Sequence, residues 1–475
     1  MKQLVLLPSL LAMAACAAVP HDAPRVAAVA PAALGLDAGG AAVAERWWDG
    51  FGDPQLGRLI DAGLADNPTL AGALARVRAA QAQAGAAHAA QLPHVDIDGT
   101  VQRERFPDAY LIPPPYAGNT NNIATVQAGL NWDLDLFGRQ RDRVAQAKAG
   151  VEAARLDAAA ARLTIATAIA QTYIGLVRAD RQIEVAKGFV ATRAQSLDYV
   201  RARQRSNLAS DFDIRTGETL LAQARQAQVR AERERDMLVH ALAALIGHGA
   251  DFYGSVATPT LALDHAPAVP DVLPADLLGR RPDLLAGQVR IAGAQAGRKA
   301  ARAEFLPNIN LQGLVGLAAI GFGNFFAAGA STWSGGGAIH VPIFEGGRLK
   351  ADYQGATADL DVAVADYNAS VLGAVRDTAD ALTEVRAADA DLAQQNLVVA
   401  GLRDTVRLDH VRVETGLGSN LDAIDSGFRL LEAEQTLIDL QAQALNRRVQ
   451  LIAALGGGFD PHTTLAATAP TEPRS

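Results

Sequence analysis

Pairs of acidic side chains at short spacing are the residues of this sequence that could take part in catalysis or ion binding. Asp133 and Asp135 are two residues apart in a segment of alternating polar and apolar residues, which is compatible with a catalytic acid pair. We favour a second interpretation, in which both carboxylates lie on one face of a strand and line a water-filled lumen. Asp422 and Asp425 are three residues apart and share a face if their segment is helical. These two aspartates, and Asp213, could also cap the beginning of a helix.

Other patterns of catalytic and metal-binding residues are missing from the sequence. The nine histidines include no His-x-x-x-His pair, and neither a G-x-x-x-x-G-K phosphate loop nor a G-x-S-x-G elbow is present. The single cysteine, Cys16, excludes a disulfide within the chain and a cysteine-based zinc site. The net charge of -8 gives no basic footprint for nucleic acid. We therefore expect no enzymatic activity, no bound metal and no nucleic-acid partner. An enzymatic activity that is lost specifically when Asp133 is replaced would bring the enzyme hypothesis back.

The first residues are typical of an exported protein. Lys2 is followed by an apolar stretch at residues 4–15 that is too short to span a bilayer. Small residues then precede Cys16, a pattern that resembles the bacterial lipobox, in which the cysteine carries a covalent lipid. We expect a lipoprotein signal peptide at 1–15 and retention in the outer membrane, because Ala17 is not the aspartate that favours the inner membrane. An ordinary signal peptide is the alternative.

The rest of the chain contains two copies of one sequence pattern. Residues 67–99 recur as residues 281–313, and each copy holds a Leu-Pro pair at the same place. Gly-Arg pairs at 138–139 and 347–348 match in the same way, as do the Ser-x-x-Asp segments at 210–213 and 419–422. Repeated motifs in the same order indicate a tandem duplication. We expect a lipidated extension at 16–44, a first repeat at 45–249, a proline-rich linker at 250–273, a second repeat at 274–458 and a tail at 459–475.

Each repeat contains two segments with the period of a strand. Apolar residues alternate there with polar or small ones; the apolar members are Val95, Ile97 and Val101, then Ala124, Val126, Ala128, Leu130, Trp132, Leu134 and Leu136, then Ile309, Leu311, Val315 and Leu317, and finally Trp333, Ile339, Val341 and Ile343. Strands of this length and period are typical of a transmembrane barrel, although a solvated sheet in a soluble domain is the alternative. Four strands cannot close a barrel and open edges are not tolerated in lipid, so several chains must contribute to one barrel.

Long helices follow each pair of strands. The stretches at 140–247 and 349–455 lack proline and are rich in alanine, the best helix former. Heptad positions are occupied by Ile169, Leu176, Ile183, Val190 and Leu197 in the first repeat, and by Thr378, Val385, Leu392, Val399 and Val406 in the second. A spacing of seven in both copies predicts coiled-coil packing. Helix breakers at 206–207 and 416–419 predict that each long helix turns and returns as a hairpin.

These residues resemble the outer-membrane efflux family of TolC-like channels, and within it the lipoprotein branch of drug-efflux outer-membrane factors. Four motifs carry the resemblance: residues 47–54 (WWDGFGDP), the repeated unit that begins at 67 and 281, and the strand-to-helix junctions at 132–139 (WDLDLFGR) and 343–348 (IFEGGR). The similar region covers roughly residues 45–458. Together, in order and duplicated, the motifs are highly specific.

The resemblance implies a fold that is mostly α with β. Three copies would form a twelve-stranded barrel in the outer membrane, four transmembrane strands coming from each chain, and a long α-helical coiled-coil tunnel through the periplasm. The homotrimer would be a passive exit duct for drugs or other small toxic solutes, without a cofactor other than the lipid on Cys16. Implied partners are outer-membrane lipid, a periplasmic adaptor (a membrane fusion protein) and an inner-membrane transporter, preferably of the resistance-nodulation-division type, with the major-facilitator and ABC types as alternatives.

The resemblance also implies roles for single residues. The family closes its periplasmic end with inward helix turns that bear carboxylates, and Asp213, Asp422 and Asp425 match these gate positions. Rings of like charge in a narrow mouth would select cations. Candidate partners of these carboxylates are Arg201, Arg203, Arg205 and Arg215. The adaptor should contact the tips of the hairpins at Leu208, Ala209, Ser210, Gly416, Leu417, Gly418 and Ser419.

Two other functions fit parts of the pattern. The exit duct of a type I protein-secretion system would have the same fold, and would be recognised by the loss of one secreted protein rather than by toxin sensitivity. A periplasmic adaptor is also a lipoprotein with a helical hairpin. An adaptor would have one hairpin flanked by split small β-domains, whereas this chain duplicates strands and helices together.

Overall fold

A computed structural model describes residues 22–29, 34, 43–109, 112–265, 267, 269 and 277–460. The predicted signal peptide, the lipidation site Cys16 and most of the predicted tail lie outside the described residues. The chain divides into two compact units. The strand unit comprises the described residues within 1–28, 76–154 and 286–368, and the helical unit those within 29–75, 155–285 and 369–475. Each unit combines corresponding parts of both repeats.

The strand unit contains one four-stranded antiparallel sheet in the order β1-β2-β3-β4. Its strands are β1 (His94–Arg105), β2 (Thr120–Asp133), β3 (Asn308–Ile320) and β4 (Ser331–His340). The two repeats meet where β2 pairs with β3, so that Trp132 lies opposite Leu311. Strands β1 and β4 are the two edges of the sheet.

Alternation along the strands gives the sheet one apolar face and one polar face. The register places Val95 opposite Leu130, Leu130 opposite Gly313, and Val315 opposite Trp333, so the apolar positions of all four strands coincide. The apolar face of β3 runs over about ten residues, which at about 3.4 Å per residue and a tilt of about 40° gives a band about 26 Å tall. This matches the apolar band of a membrane barrel and confirms the four predicted strands.

The predicted second strand was too long at its end. Strand β2 ends at Asp133, and Asp135 lies in a turn with a left-handed φ of 46°. The Asp135 carboxylate accepts the backbone N–H groups of Gln140 and Arg141, both at 2.8 Å, and so caps the next helix. Asp133 pairs instead with Arg139. The expectation that Asp133 and Asp135 are neighbours on one strand face was therefore wrong, because the alternating pattern continues beyond the point where the chain turns.

The fourth predicted strand was also too long. Strand β4 ends at His340, so Val341 and Ile343 lie beyond it. Pro342, which has no N–H to donate to a strand ladder, separates these two residues.

Six of the seven long helices that the structure describes occur in pairs of equal length, and α1 is the exception. The seven are α1 (Pro54–Asp66), α2 (Pro68–Ala89), α3 (Arg139–Arg205) and α4 (Asp211–Leu245) in the first repeat, and α5 (Pro282–Ala303), α6 (Arg348–Glu414) and α7 (Asn420–Ala454) in the second. Helices α2 and α5 have 22 residues each, α3 and α6 have 67, and α4 and α7 have 35. These lengths confirm the predicted tandem repeat and its helical hairpins.

The predicted heptad positions form the core of the helical unit. Ile169 and Leu176 are completely buried, and Val385 packs with Leu451 and Leu455. Thr378, the polar member, is also buried, and its hydroxyl donates to the carbonyl of Ala374 at 2.8 Å. Because the Thr378 hydroxyl bonds within its own helix, it can be buried in the core without losing its hydrogen bond.

The four hairpin helices of the helical unit lie side by side in the order α4, α3, α7, α6. Arg235 of α4 bonds Asp180 of α3 at 2.7 Å, and Arg178 of α3 bonds Asp439 of α7 at 3.2 Å. Gln395 of α6 donates to a carbonyl of α7 at 2.8 Å. Helices α4 and α6 therefore form the two edges of this layer.

Asp53 ties the linker between the repeats to the helical unit. Its buried carboxylate caps α1 and accepts the hydroxyl of Tyr173 at 2.7 Å and the N–H groups of Thr260 and Leu261, both at 2.9 Å. Burial by itself raises the pKa of Asp53, but these hydrogen bonds together outweigh it and hold the pKa below 3.8. The described part of the predicted linker is therefore packed rather than free.

One helix among the described residues, α3, is long and apolar enough over part of its length to cross a membrane. Its apolar side chains Ile169, Ile174 and Leu176 are completely buried within the protein. Packing in the helical unit therefore accounts for its hydropathy.

Candidate gate and docking tips

The first helical hairpin turns through residues 206–210, which we call the first tip. Asn207 adopts a left-handed φ of 59°. Its N–H donates to the carbonyl of Gln204 at 2.8 Å, and the N–H of Leu208 donates to the carbonyl of Arg203 at 2.9 Å. This pair of hydrogen bonds is a Schellman motif, in which asparagine takes the place usually held by glycine.

The second hairpin turns through residues 415–419, the second tip, with the same motif. Gly416 has a φ of 72°, and the N–H of Leu417 donates to the carbonyl of Arg412 at 2.7 Å. Gly418 is packed against α6, where an added Cβ would lie 2.9 Å from the Cβ of Arg412. Both predicted tips are therefore tight, defined turns.

Asp213 is used as a helix cap in the first repeat. The Ser210 hydroxyl accepts the N–H of Asp213 at 3.3 Å, while the Asp213 carboxylate accepts both the N–H and the hydroxyl of Ser210 at 2.8 Å. These hydrogen bonds lower the pKa of Asp213. The structure thus gives Asp213 the capping role that the sequence left open, and any gate role would be additional to it.

Asp422, at the equivalent position of the second repeat, is not part of a capping box. The Ser419 hydroxyl accepts the N–H of Leu421 at 3.1 Å instead. Within the part of the chain that the structure describes, the exposed Asp422 carboxylate forms no hydrogen bond or ion pair. Its charge is available to an ion or to a neighbouring chain.

Asp425 lies one turn further along α7 and pairs with Arg429. The Arg429 Nη2 atom is 2.6 Å from an Asp425 carboxylate oxygen, and both side chains are mostly exposed. An exposed pair of this kind contributes at most about 1 kcal/mol to stability. Arg429 was missed in the sequence, although its spacing of four from an acidic residue on a helix is a known signal.

Two of the four arginines predicted as partners, Arg201 and Arg215, form other contacts in the single chain. Arg201 lies 3.6 Å from Asp198 and 3.5 Å from Glu218, and Arg215 lies 2.9 Å from Glu218. Within the described residues, none of the predicted arginines pairs with Asp422 or Asp425. Such pairing stays a prediction for an assembly of several chains.

An aromatic contact positions the acidic turn of α7 against α3. The guanidinium carbon of Arg193 lies 3.4 Å from the centre of the Phe428 ring, and the Phe189 ring stacks on the same ring at 6.1 Å. Burial lowers the pKa of Arg193, and the carboxylates of Glu432 and Asp425 oppose this effect. Phe428 is three residues from Asp425, so the contact fixes where the acidic turn lies.

Both tips present large apolar side chains to solvent. Leu208 and Leu417, which were predicted, are exposed, whereas Ala209 and Gly418 are half-buried. Phe212, which is 78% exposed, and Leu421 were missed. The signal that could have found them is an apolar residue at equivalent positions in the first turn after each tip.

The geometry of these sites supports charge selection and docking. The described residues contain no group of three metal-ligating side chains that could hold an ion. The acidic turn of α7 carries one free carboxylate and one paired carboxylate, beside a tip with exposed leucines.

Comparison with known proteins identifies the family. The sequence profile described as outer membrane efflux protein matches residues 59–248 and 273–457, one segment in each repeat. The chain belongs to the outer membrane efflux protein family. This efflux protein is 31% identical to the outer membrane protein OprJ of Pseudomonas aeruginosa, over 96% of this chain and 95% of OprJ. It is 32% identical to the solvent efflux pump outer membrane protein SrpC of Pseudomonas putida, over 86% of each chain.

Solved structures show the same fold for this efflux protein. The outer membrane protein VceC of Vibrio cholerae superimposes with a TM-score of 0.80 at 28% identity, covering 88% of this chain and all of VceC. The resemblance to the outer-membrane efflux family is confirmed: the efflux protein is an outer-membrane channel component with the α/β tunnel fold. Its place in the lipoprotein branch stays a prediction. Its family consists of outer-membrane efflux proteins of the channel type.

Proposed function

We propose that three copies of this efflux protein assemble into the outer-membrane exit duct of a tripartite efflux pump. One observation carries the proposal: both layers of the chain are open at two edges. The outer edges of β1 and β4 have no partner strand within the described sheet, and the helical layer ends at α4 and α6. Repetition of the same heterologous contact closes both layers into rings.

The open helical edges carry apolar side chains that closure would cover. Val229 and Met237 are exposed on α4, and Leu397 and Leu408 are exposed on α6. Three chains give twelve strands, an even number within the range of bacterial barrels, whereas one chain gives too few. Native mass spectrometry of the detergent-solubilised protein should give three times the mass of one chain; a stable monomer or dimer would contradict the trimer.

The duct has no energy source in this proposal. A periplasmic adaptor would dock at the two tips, through Leu208, Ala209 and Ser210 and through Gly416, Leu417, Gly418 and Ser419. An inner-membrane transporter would supply the energy. We favour a transporter of the resistance-nodulation-division type, with major-facilitator or ABC transporters as alternatives. A lipid on Cys16 would anchor the chain in the outer membrane. The relative SrpC, named for solvent efflux, supports small toxic solutes as the cargo.

The periplasmic end of the duct would be gated by carboxylates. Asp422 and Asp425 would form two rings of charge around the axis, with Asp213 at the equivalent turn of the first repeat. The free carboxylate of Asp422 and the fixed position of α7 against α3 support this role. Opening would require α7 to move relative to α3.

Crosslinking from a tip tests the docking. A photoreactive amino acid in place of Leu417 should capture the adaptor, with its transporter in the same complex. Val398 is the control, because it is also an exposed aliphatic residue (47% against 76%) and lies about 24 Å back from the end of α6. Efficient labelling at Leu417 without an adaptor or transporter would contradict the proposal. Deletion that stops the export of one protein and leaves toxin sensitivity unchanged would favour the secretion duct.

A further inference from the structure

The helices of the helical unit alternate between two types across the layer. Helix α6 begins 209 residues after α3 and has the same length, and α7 begins 209 residues after α4 and has the same length. The order α4, α3, α7, α6 therefore reads short, long, short, long. If a ring of chains continues this alternation, α6 of one chain lies beside α4 of the next, as α3 lies beside α7 within one chain.

The offset of 209 residues relates contacts as well as sequences. An added Cβ at Gly175 of α3 would lie 3.3 Å from Leu238 of α4. The residues 209 positions later, Glu384 of α6 and Arg447 of α7, form an ion pair at 3.4 Å. The two hairpins therefore place equivalent positions opposite each other even where the residue types differ. Contacts between α3 and α7 can be transferred in the same way to α6 and α4.

A polar contact holds α3 against α7 inside the chain, and we call this α3–α7 contact the inner junction. Gln182 donates to the carboxylate of Asp439 at 3.1 Å, and Arg178 pairs with the same carboxylate at 3.2 Å. The positions equivalent to the glutamine and the aspartate carry Asp391 on α6 and Arg230 on α4. A carboxylate and a guanidinium thus replace the amide and the carboxylate, and the negative charge has moved to the long helix.

Asp391 and Arg230 are charges without a partner in the single chain. Both side chains are exposed, and within the part of the chain that the structure describes neither forms a hydrogen bond or an ion pair. Three helix spacings, about 27 Å, separate their helices, so they cannot pair within one chain. Ala387 occupies the position equivalent to Arg178, so α6 presents no cation there that would repel Arg230. Opposite charges on the two edges are complementary to a second copy of the same chain.

Side-chain size is exchanged between the two pairs of helices as well. Leu431 of α7 packs over Gly188 of α3, where an added Cβ would lie 3.2 Å from a methyl carbon of the leucine. The equivalent positions carry Leu397 on α6, which is 67% exposed, and Ala222 on α4, which is also exposed. The large side chain has moved to the long helix and the small one to the short helix. A leucine of one chain over the alanine of the next would fill the equivalent space.

The exchanged residues disfavour the two incorrect pairings between copies. If α6 packed against α7 of another copy, Asp391 would face Asp439 and one leucine would face another. If α3 packed against α4 of another copy, Arg178 would face Arg230 and a glycine would face an alanine. Like charges, with an overfilled site in one case and an empty one in the other, make both pairings unfavourable.

We propose that α6 of one chain and α4 of the neighbouring chain form an outer junction in the same register as the inner junction. Asp391 pairs there with Arg230 of the neighbouring chain, and Leu397 packs over Ala222 of the neighbouring chain. The exchange of charge and of size restricts each edge helix to the correct helix of another copy. The outer junction rests on the proposed function in one respect, namely that copies of the chain close into a ring.

Disulfide formation between chains tests the register. Leu397→Cys and Ala222→Cys are introduced together into the full chain, where they lie at opposite edges of the layer, and membranes are oxidised. Non-reducing gels should show linked dimers and trimers and no larger species, because three links close a ring. The matched control replaces the second cysteine by Val229→Cys, about 10 Å along α4, and should give no linked trimer. Each single-cysteine variant controls for links through Cys16.

The outcomes separate the two proposals. Linked trimers from the Leu397 and Ala222 positions, and not from the shifted pair, would support the outer junction. Links from the shifted pair alone would overturn the register but leave the ring intact. If neither pair links although native mass spectrometry finds a trimer, the outer junction is wrong and the proposed function stands. If native mass spectrometry finds only a monomer, both fail together.

A charge exchange tests the polar pair. Asp391→Arg should shorten the half-life of the trimer in detergent about tenfold, because repulsion replaces attraction at both junctions that hold each chain. Adding Arg230→Asp should restore the half-life to within about threefold. Asp404→Arg is the control, because Asp404 is also an exposed acid of α6 and its equivalent in α3, Gln195, stays exposed beside two neighbouring helices. An unchanged half-life in the single variant, or no recovery in the double variant, would overturn the pairing.

Discussion

The charge of the proposed gate can be worked out from three side chains of α7. Each chain contributes the free carboxylate of Asp422, the carboxylate of Asp425 and the guanidinium of Arg429, which together carry a net charge of -1. Replacing both aspartates with asparagine leaves only Arg429 and reverses this to +1. The double variant should therefore prefer anions, and not merely lose its preference for cations.

The expected size of the reversal follows from Coulomb's law. One unit charge about 6 Å from a permeating ion in water contributes about 0.7 kcal/mol, and three chains contribute about 2 kcal/mol. Screening over a Debye length of about 8 Å reduces this to about 1 kcal/mol. Reversing the sign of the ring should shift the free energy of a K⁺ ion in the mouth by about 2 kcal/mol, or roughly thirtyfold in occupancy.

Reversal potentials in planar bilayers under a KCl gradient provide the assay. The unmodified channel should be cation-selective, Arg429→Gln more strongly so, and Asp422→Asn with Asp425→Asn weakly anion-selective. Adding Arg429→Gln to the double variant should bring the reversal potential close to zero. A double variant that keeps the original sign would refute the reasoning and favour a purely structural role for the two aspartates.

Three further predictions concern the contacts that hold the helical unit. Asp53→Asn should destabilise the protein by about 3 kcal/mol in thermal unfolding, because the buried donors of Tyr173, Thr260 and Leu261 lose their charged acceptor. Since the pKa of Asp53 is lowered in the folded protein, this stabilisation is present above pH 3.8 and is lost as pH falls through the folded pKa. Gly416→Ala should speed amide exchange at the second tip about fivefold through about 1 kcal/mol of left-handed strain, whereas Gly416→Asn, as at Asn207, should not. Phe428→Ala should raise the open probability of single channels by releasing α7 from α3, and Phe428→Leu should do so less; equal effects would argue against the aromatic contact.

Periodic features of the sequence predicted most of the fold. Strands with one lipid-facing side must alternate, and core helices without proline must show a heptad stripe, so the spacing of apolar residues was enough to place Val315 and Ile169 correctly. The errors lie at strand ends. Leu136 and Ile343 keep the alternating pattern although the chain has left the sheet, so the spacing of apolar residues does not show where β2 and β4 end.

The contacts of the candidate gate could not be predicted in the same way. Asp213 and Asp422 occupy equivalent positions after identical serines, yet only Asp213 closes a capping box. In the first repeat the Ser210 hydroxyl accepts the N–H three residues ahead, and in the second the Ser419 hydroxyl accepts the N–H two residues ahead. The local backbone geometry determines which of these hydrogen bonds forms, and the residue types, which are the same in both repeats, do not reveal it. Arg429 was accessible to sequence reasoning, but Arg193 stacks on Phe428 across two helices and has no local signal.

This difference between the repeats indicates how a duplicated chain can gate with one half. The backbone of the two hairpins is the same to the residue in helix length, so the duplication supplies a symmetric wall. In the first repeat the Asp213 carboxylate is hydrogen-bonded in the cap of its own helix, whereas in the second repeat the Asp422 carboxylate is free. If all six hairpins of a trimer formed the gate, opening would break the helix cap at Asp213 in the three first repeats. If only the second repeats form the gate, opening requires only that the contact between α3 and α7 breaks. The acidic ring should therefore belong to the second repeat, and Asp213→Asn should alter the order of the first tip without changing ion selectivity.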